Sequence, residues 1–270
     1  MTKIYSVLTC IFEGYEQVRE VQNPNPLVEY ILVTDDPQLR SETWSIIVDS
    51  TLDKYTPYAR SFYVRSHPFE YVNTNTMVWV DGSINILDDF TDELMLPFIY
   101  SDYEIGETLN VITNSAVGEV HRWGENEFHG YTQQHADRII SFFEMEQFDN
   151  GLVQNTIYLC KNTKLANTVN NRWWELLVRF GEYPEVDQQS MSLRSYCLWK
   201  YAYRSPKLLI LSPTTLWCHY FDYCYHNTNI SQYDAFKDIV FSSDSNFPYN
   251  WVYKFHDKYI QPKVLKQKHE

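Results

Sequence analysis

An acidic residue ends an apolar run in the stretch Thr76–Ile84. Four apolar residues there are followed at once by Asp81, Gly82 and Ser83. Such a run predicts a buried strand, covered on both faces, with Asp81 at its carboxyl end. Ligands bind at this edge of an open α/β sheet, and a carboxylate beside a glycine suits a divalent cation carrying a diphosphate. Asp-Gly is also a common turn dipeptide, so the pattern leaves a simple turn open.

Two further carboxylates lie at the ends of predicted elements. Asp35 follows the apolar run Val28–Val33, where an acidic group can hold the ribose or base of a nucleotide. The same Asp-Asp-Pro sequence is ordinary turn chemistry, which the local pattern favours. Asp187 opens an Asp-Gln-Gln-Ser sequence at a helix start, where aspartate more often caps a helix than catalyses a reaction.

Positive charge is scarce in this chain, and two arginines lie just before the strand that leads to Asp81. A Thr-Pro pair predicts the start of a helix over 56–66, which carries Arg60 and Arg65, with His67 just beyond it. Guanidinium groups pair well with phosphate oxygens. Surface salt bridges are the alternative for the arginines, and a position at the helix end explains the histidine without any chemistry.

Apolar periodicity predicts an α/β chain in which strands and helices alternate. The polar segment 114–130 carries three glycines and includes His121, and we expect it to form an irregular lid or acceptor loop. The predicted strands cover 3–12, 28–33, 44–48, 76–80, 109–113, 156–160 and 207–211. The predicted helices cover 56–66, 94–98, 131–148, 164–180 and 190–200.

Composition excludes several classes of protein. The 270 residues are 44% hydrophobic and carry a net charge of −13, so no basic field gathers nucleic acid. Five scattered cysteines without CxxC spacing favour reduced, buried thiols in a cytoplasmic protein. The start of the chain shows no basic-then-apolar leader, and no apolar run reaches the ~20 residues of a membrane span. We therefore expect a cytoplasmic protein with no transmembrane segment.

Several well-defined catalytic motifs are absent from the sequence. It contains no GxGxxG after the first strand, no GxxxxGK[ST] loop, no HExxH and no GxSxG. Dinucleotide-binding, P-loop, zincin and α/β-hydrolase functions therefore lose their support.

Seven short segments, taken in order, resemble a glycosyltransferase-like family. This family was first catalogued as a domain of unknown function, and it includes plant pectin-related proteins and bacterial proteins of surface-polysaccharide loci. The match spans roughly residues 3 to 200, and each segment is weak alone. The segments are Phe12-Glu13-Gly14-Tyr15, Val33-Thr34-Asp35, Ala59-Arg60 with His67, Trp79-Val80-Asp81-Gly82, Asn150-Gly151-Leu152, Trp173-Trp174-Glu175 and Asp187-Gln188-Gln189-Ser190.

The resemblance implies a GT-A-like domain with a Rossmann-like mixed central sheet and helices on both faces. It also implies a nucleotide-sugar donor, a glycan or glycolipid acceptor, and Mn²⁺ or Mg²⁺ bound at Asp81. The chain departs from the pattern twice. Related enzymes show Asp-x-Asp where this chain has Asp81-Gly82-Ser83, and Tyr63 stands where the family is expected to carry a lysine.

The predicted site combines the residue patterns with the resemblance. We expect Asp187 to be the catalytic carboxylate and Gln188 to orient sugar hydroxyls, while His121 and Asn155 contact the acceptor. The domain is predicted to cover 1–212, with an aromatic extension over 213–270 packed on it. The predicted donor-binding residues are Phe12, Gly14, Tyr15, Thr34, Asp35, Arg60, Arg65, His67, Asp81, Gly82 and Ser83.

Two other functions remain open on the sequence. A catalytically silent domain that binds a glycan or a partner protein fits the missing second carboxylate and the abundant aromatic residues. A third hypothesis is an enzyme that is not a transferase and that hydrolyses a nucleotide diphosphate at the same carboxylate, Asp81.

Overall fold

The computed structural model describes residues 2–110, 115–127, 130–148, 151–182, 184–211 and 220–223. The strands are β1 (Tyr5–Ile11), β2 (Val28–Thr34), β3 (Ser45–Val48), β4 (Thr76–Val80), β5 (Ile84–Ile86), β6 (Ile105–Leu109), β7 (Val153–Lys161), β8 (Leu208–Leu211) and β9 (Phe221–Tyr223). The helices are α1 (Pro57–Ser66), α2 (Leu96–Tyr100), α3 (Ala116–Glu125), α4 (Gln133–Met145), α5 (Lys164–Phe180) and α6 (Ser190–Tyr201). A π-helical turn, Thr91–Met95, leads into α2.

Seven strands form one mixed sheet in the order β3-β2-β1-β4-β7-β6-β8, and β5 pairs with β9 in a separate ribbon. The pairs β3–β2, β2–β1, β1–β4 and β6–β8 are parallel, whereas β7 runs antiparallel to both β4 and β6. The chain therefore moves outward from β1 to β3 and then returns to the other side of β1 at β4. This reversal creates a topological switch point between the carboxyl ends of β1 and β4, where open α/β sheets bind ligands.

The sheet is covered on both faces, which explains why its central strands are apolar throughout. Every residue of β1 and β4 is buried. One face packs on α1, α3, α4, α5 and α6 through a large core that contains Trp79 and Trp173. The other face packs on the π-helical turn, α2 and the β5–β9 ribbon, with Phe98 and Phe221 buried there. This architecture confirms the predicted α/β fold class with a mixed central sheet.

Local sequence signals position α1 and α5 as predicted. The Thr56 side chain accepts a hydrogen bond from the Ala59 backbone N–H at 3.3 Å, and Pro57 occupies the first helical position. Thr163 caps α5 in the same way, and Trp173 on that helix is fully buried. The cysteines at 10, 160 and 197 are free and buried, whereas Cys218 and Cys224 lie outside the described residues.

Two sequence predictions for chain segments are wrong. The segment 114–130 is not an irregular loop, because Ser115 caps the helix α3 and its side chain accepts a hydrogen bond from the Gly118 N–H. The strand expected over 109–113 instead occupies Ile105–Leu109, and residues 111–113 lie outside the described part. The helix was not predicted because its segment contains glycines, which are poor helix formers. The strand was misplaced because a buried glutamate, Glu107, interrupts its apolar pattern.

The strand β7 also differs from the prediction. It is longer than the expected 156–160, and it lies inside the sheet between β4 and β6. Because β7 is antiparallel, its first residues meet the carboxyl end of β4. Most of the predicted extension over 213–270 lies outside the described residues, so its packing remains a prediction.

Candidate functional site

Asp81 lies directly after β4, at the switch point of the sheet. Its backbone N–H donates to the carbonyl oxygen of Thr156 on β7 at 3.0 Å, which fixes the end of the strand. Its carboxylate Oδ1 accepts hydrogen bonds from the indole N–H of Trp79, at 2.7 Å, and from the Arg65 guanidinium. About 20% of the Asp81 side chain is exposed, so the carboxylate lies within reach of a ligand.

Arg65 reaches this edge from α1. Its guanidinium carbon lies 5.0 Å from the ring centre of Phe62 and 4.8 Å from that of Trp79. Two ring faces therefore orient the cation, an arrangement that suits the planar guanidinium group. The Tyr158 hydroxyl also donates to the backbone carbonyl of Arg65. The arginine is consequently held at the switch point from both its backbone and its side chain.

The loop after β1 is tied to the end of β2. Asp35 accepts two hydrogen bonds from the Glu13 backbone N–H, at 3.0 and 3.2 Å, and pairs with Arg60 Nη1 at 2.9 Å. Gly14, at the tip of this loop, has φ = +63°, a backbone conformation that favours glycine. The neighbouring Tyr15 is 60% exposed. The loop thus presents an aromatic ring to solvent beside the sheet edge.

Three predicted donor residues serve the local structure in this loop region. Phe12 is buried with its ring centre 6.0 Å from the Arg60 guanidinium carbon, and the Thr34 hydroxyl accepts a hydrogen bond from the Asp36 N–H. Ser83 is buried. All three residues lie at or near the carboxyl ends of strands of the central sheet. Direct contact of their side chains with a donor remains a prediction.

Gly82 lies where two segments approach closely. A Cβ atom there would meet Glu16 Cγ at 3.3 Å and the carbonyl oxygen of Cys10 at 3.4 Å. The Gly82 carbonyl accepts a hydrogen bond from Arg19 Nε at 3.1 Å. Arg19 and Glu16 form a buried ion pair at 3.5 Å. A larger residue at position 82 would push against the Glu16 side chain, so glycine suits the close packing of the β1 loop against the end of β4.

Asp187 is a buried carboxyl group, with only 4% of the residue exposed. Its Oδ1 accepts a hydrogen bond from the Gln189 N–H at 2.7 Å, just before the first residue of α6. Burial raises the pKa of Asp187 from 3.8 to about 7, although this hydrogen bond and the charge of Arg138 lower it. A carboxyl group with a pKa near neutrality can both accept and release a proton under physiological conditions.

Tyr58, near the start of α1, contacts the segment that carries Asp187. Its hydroxyl donates to the Gln188 carbonyl at 3.2 Å, which connects the start of α1 to the segment before α6. Desolvation of the hydroxyl raises the pKa of Tyr58. The Arg65 charge lowers it, and the charges of Asp187 and Asp81 raise it further. The same helix carries Arg65, which pairs with Asp81, so α1 contacts the segments of both carboxylates.

A bulge at the start of β7 adds unpartnered polar groups beside Asp81. The β6–β7 register shifts between Glu107 and Leu109, and Asn155 has φ = +65°. Asn155 is fully buried, yet neither amide atom of its side chain has a hydrogen-bond partner among the described residues. Gln154 Oε1 and Thr156 Oγ1 are unpartnered in the same part of the chain. Backbone strain together with unsatisfied polar atoms is characteristic of ligand sites.

The structure makes a prediction for this asparagine. We expect Asn155→Gly to leave the free energy of unfolding unchanged or to raise it by up to about 1 kcal/mol, because glycine adopts positive φ without strain. Urea denaturation monitored by circular dichroism measures the change. Asn170→Ala is the matched control, because this buried asparagine accepts a hydrogen bond from Arg194 at 3.0 Å. That variant should lose about 1–3 kcal/mol. An equal loss in both variants would show that Asn155 contributes to the fold like any other paired residue.

Three of the predicted site residues have other surroundings. His67 ends α1 and stacks on Tyr63, with ring centres 4.3 Å apart, and it contacts the edge of Trp174. His121 lies on the exposed side of α3. Gln188 takes part in the site through its backbone carbonyl, which accepts the Tyr58 hydrogen bond. The roles predicted for the three side chains in donor and acceptor binding and in orienting sugar hydroxyls remain predictions.

The sequence did not indicate a role in the site for Tyr58, Tyr131, Gln154 or Gln189. Tyr131 is buried with an unpartnered hydroxyl among the described residues. Desolvation, and then the charge of Asp187, raise the pKa of that hydroxyl. Gln189 is also buried, and its Nε2 has no partner in the described ranges. For Gln189 the sequence offered one signal, its position directly after the predicted pair Asp187 and Gln188.

Asp81 is the carboxylate at this edge that the family resemblance assigns to a divalent cation. Within the part of the chain that the structure describes, no three His, Cys, Asp or Glu side chains lie together as a metal-binding group. One carboxylate is enough for Mg²⁺ when phosphates of the substrate and water complete the coordination. The residues here therefore fit Mn²⁺ or Mg²⁺ best together with a bound diphosphate, which would complete the coordination.

The fold and the site define an α/β protein with a seven-stranded mixed sheet and a group of polar side chains at its topological switch point. No protein-family model matches this chain, and no curated protein matches it. Among solved structures, it is similar to the glycosyltransferase GlyE of Streptococcus pneumoniae TIGR4. The TM-score is 0.41 and the sequence identity is 14%, and the match covers 78% of this chain and 45% of that chain. A likeness this distant carries no conclusion about activity, and this chain spans less than half the length of GlyE.

No helix in the described part of the chain is both long enough and apolar enough to cross a membrane.

Proposed function

We propose that this chain is a GT-A-like glycosyltransferase that moves a sugar from a nucleotide-sugar donor to a glycan or glycolipid acceptor. One observation carries the proposal: α1 contacts the segments of both carboxylates, since the Tyr58 hydroxyl donates to the Gln188 carbonyl and Arg65 pairs with Asp81. Glycosyl transfer requires a group that binds phosphate and a carboxyl group that accepts a proton, and these segments are our candidates for the two roles. The family resemblance noted in the sequence supports the same function.

In the proposed reaction, an acceptor hydroxyl oxygen forms a bond to the anomeric carbon, and the bond from that carbon to the diphosphate oxygen breaks. The proton of the hydroxyl passes to Asp187, whose pKa near 7 suits a general base. Arg65 and Arg60 are placed to neutralise charge on the departing diphosphate. A cation held at Asp81, when bound, would supply further neutralisation.

The donor-binding surface consists of the β1 loop, the end of β2 and the end of β4. Tyr15 is the exposed ring placed to stack on a base or sugar, and Asp35 lies at the end of β2, where an acidic group can hold ribose. The Asn155 amide is unpartnered among the described residues but fully buried, so contact with a sugar would require local rearrangement of the β7 bulge. A cytoplasmic enzyme that builds a surface polysaccharide fits this assignment.

A silent glycan-binding or partner-binding domain is the second candidate function. The observation that favours it is the ion pair between Arg65 and Asp81, since this pair occupies the carboxylate on which a metal-dependent transferase depends.

Thermal unfolding with a panel of nucleotide diphosphates and nucleotide sugars, with and without Mn²⁺, separates the candidates. A transferase should be stabilised by one nucleotide together with Mn²⁺ and should slowly release sugar from the matching donor. A silent domain should respond to no nucleotide. Release of phosphate from diphosphates that carry no sugar would instead indicate a hydrolase.

Replacing Asp81 with asparagine is expected to weaken binding of nucleotide plus Mn²⁺ by more than about tenfold, or about 1.4 kcal/mol. The neutral amide oxygen is a much weaker ligand for a cation than a carboxylate, although it still accepts the indole hydrogen bond. Isothermal titration calorimetry measures the affinity, and circular dichroism checks the fold. Asp36→Asn is the matched control, because Asp36 is an exposed carboxylate after a neighbouring strand. Unaltered affinity in Asp81→Asn would contradict the assignment.

A further inference from the structure

The carboxylate of Asp81 already has a cationic partner in the structure. Arg65 Nη2 and the Trp79 indole N–H both contact Oδ1, the former in an ion pair whose side chains are 12% and 20% exposed. A free cation approaching Asp81 must therefore compete with a guanidinium that is largely withdrawn from water. Such a pair is screened less than a surface pair.

Several contacts hold Arg65 in position, but not all of its N–H donors have a hydrogen-bond partner among the described residues. The guanidinium lies against the Phe62 and Trp79 rings, and the backbone carbonyl of Arg65 is held by Tyr158. Its Nε is buried and has no hydrogen-bond partner among the described residues. A guanidinium has five N–H donors in a planar fork that matches phosphate oxygens. Arg65 can therefore accept an anionic ligand without leaving its aromatic support.

We propose that Arg65 prevents a divalent cation from binding Asp81 until a nucleotide diphosphate arrives. On arrival, Arg65 changes partner from the carboxylate to a phosphate oxygen, and Asp81 becomes available to the cation. The guanidinium stays paired throughout, which avoids an isolated charge in a poorly hydrated position. This inference rests on the proposed function only for the identity of the anion, because the block on cation binding is a property of the protein alone.

Thermodynamic linkage makes the proposal quantitative. If the nucleotide removes the competitor of the cation, each ligand must raise the affinity for the other by the same factor. Couplings between sites are commonly 5–150-fold. Removal of the Arg65 charge should therefore have opposite effects on the two ligands, strengthening Mn²⁺ binding alone and weakening nucleotide binding.

The test measures binding of Mn²⁺ alone to the full chain by the loss of the free Mn²⁺ electron paramagnetic resonance signal. Arg65→Gln is expected to bind Mn²⁺ about tenfold more tightly than the wild type. Adding Asp81→Asn to that variant should abolish the gain. Arg172→Gln is the matched control, because Arg172 also pairs with a carboxylate, that of Glu175 on α5, and belongs to no proposed site. This control should bind Mn²⁺ as the wild type does.

Equal or weaker Mn²⁺ binding by Arg65→Gln would overturn the proposal, and so would a gain that survives Asp81→Asn. If Arg65→Gln does not fold, Arg65→Met replaces it. Methionine removes the positive charge and keeps an apolar side chain against Phe62 and Trp79, so a similar gain in Mn²⁺ affinity is expected, and no gain would overturn the proposal. The Mn²⁺ arm uses no nucleotide. Failure of every nucleotide to bind would therefore count against the proposed function and not against the role of Arg65.

Discussion

Asp187→Asn is expected to lower the rate of sugar transfer by about 10²–10⁴-fold while making the protein more stable at neutral and alkaline pH. The loss of rate follows from the loss of a general base. The gain in stability follows from the raised pKa, about 7 in the folded protein against an ordinary value of 3.8. An ionised carboxylate buried in the fold is costly, and asparagine removes that cost.

The sign of the pH dependence follows from the same shift. Below about pH 4, Asp187 is protonated in both folded and unfolded chains, and its favourable contribution is complete. Between about pH 4 and 7 the unfolded chain loses the proton first, so stability falls as the pH rises, by roughly 4 kcal/mol in total. The asparagine variant should lack this decline. Urea denaturation at pH 4, 5, 6, 7 and 8 measures it in both proteins.

Asp137→Asn serves as the control for Asp187→Asn. Asp137 is an exposed carboxylate on α4, so its replacement should change neither the transfer rate nor the dependence of stability on pH. If Asp187→Asn kept both the rate and the pH-dependent decline of the wild type, Asp187 would be an ordinary helix-start residue.

Arg194→Met is expected to lower the free energy of unfolding by about 3–5 kcal/mol, the largest effect on stability that the structure predicts. Arg194 and Glu107 are both fully buried, and Arg194 Nε donates to Glu107 Oε1 at 2.6 Å. The guanidinium carbon lies 4.1 Å from the ring centre of Tyr158 and 4.8 Å from that of Trp173. Methionine fills part of this space but leaves the glutamate without its partner.

A double variant separates the ion pair from the packing. Arg194→Met with Glu107→Leu should recover most of the lost stability, because no buried carboxyl group is then left unpaired. Arg172→Met is the surface control. The Arg172–Glu175 pair is 2.6 Å long but 35% and 59% exposed, so its loss should cost at most about 1 kcal/mol. A loss below about 1 kcal/mol for Arg194→Met would contradict the buried-pair account. Urea denaturation at pH 7 provides all three values.

The central strands could be predicted because a strand that is buried on both faces is apolar at nearly every position. β1, β2 and β4 are nearly continuous apolar runs, and α1 and α5 carry threonine caps that the sequence displays. These elements depend on local chemistry and on burial, which a single sequence records directly.

The elements that the sequence did not predict depend on tertiary contacts. Gly106 and Glu107 argue against a buried strand in isolation, yet the partner of Glu107, Arg194, lies 87 residues further along the chain. The antiparallel direction of β7 and the bulge at Asn155 also arise from pairing with β4 and β6. No local pattern specifies such partners.

The same distinction applies to the site. Asp81 and Asp187 were identifiable as carboxylates at element ends, and the structure places both near Tyr58. The pairing of Arg65 with Asp81 was not predicted, because it depends on how α1 lies across the sheet. Tyr58 carries no sequence signal of its own, since its position is significant only once the start of α1 meets the segment before α6.

A crystal structure of the protein with Mn²⁺ and its best-stabilising nucleotide diphosphate tests the central claim most directly. The account predicts that the diphosphate contacts the Arg65 guanidinium, with Asp81 beside it and the terminal phosphate directed towards Tyr58 and Asp187. A nucleotide bound elsewhere, with the Arg65–Asp81 pair intact and the switch point empty, would contradict the account.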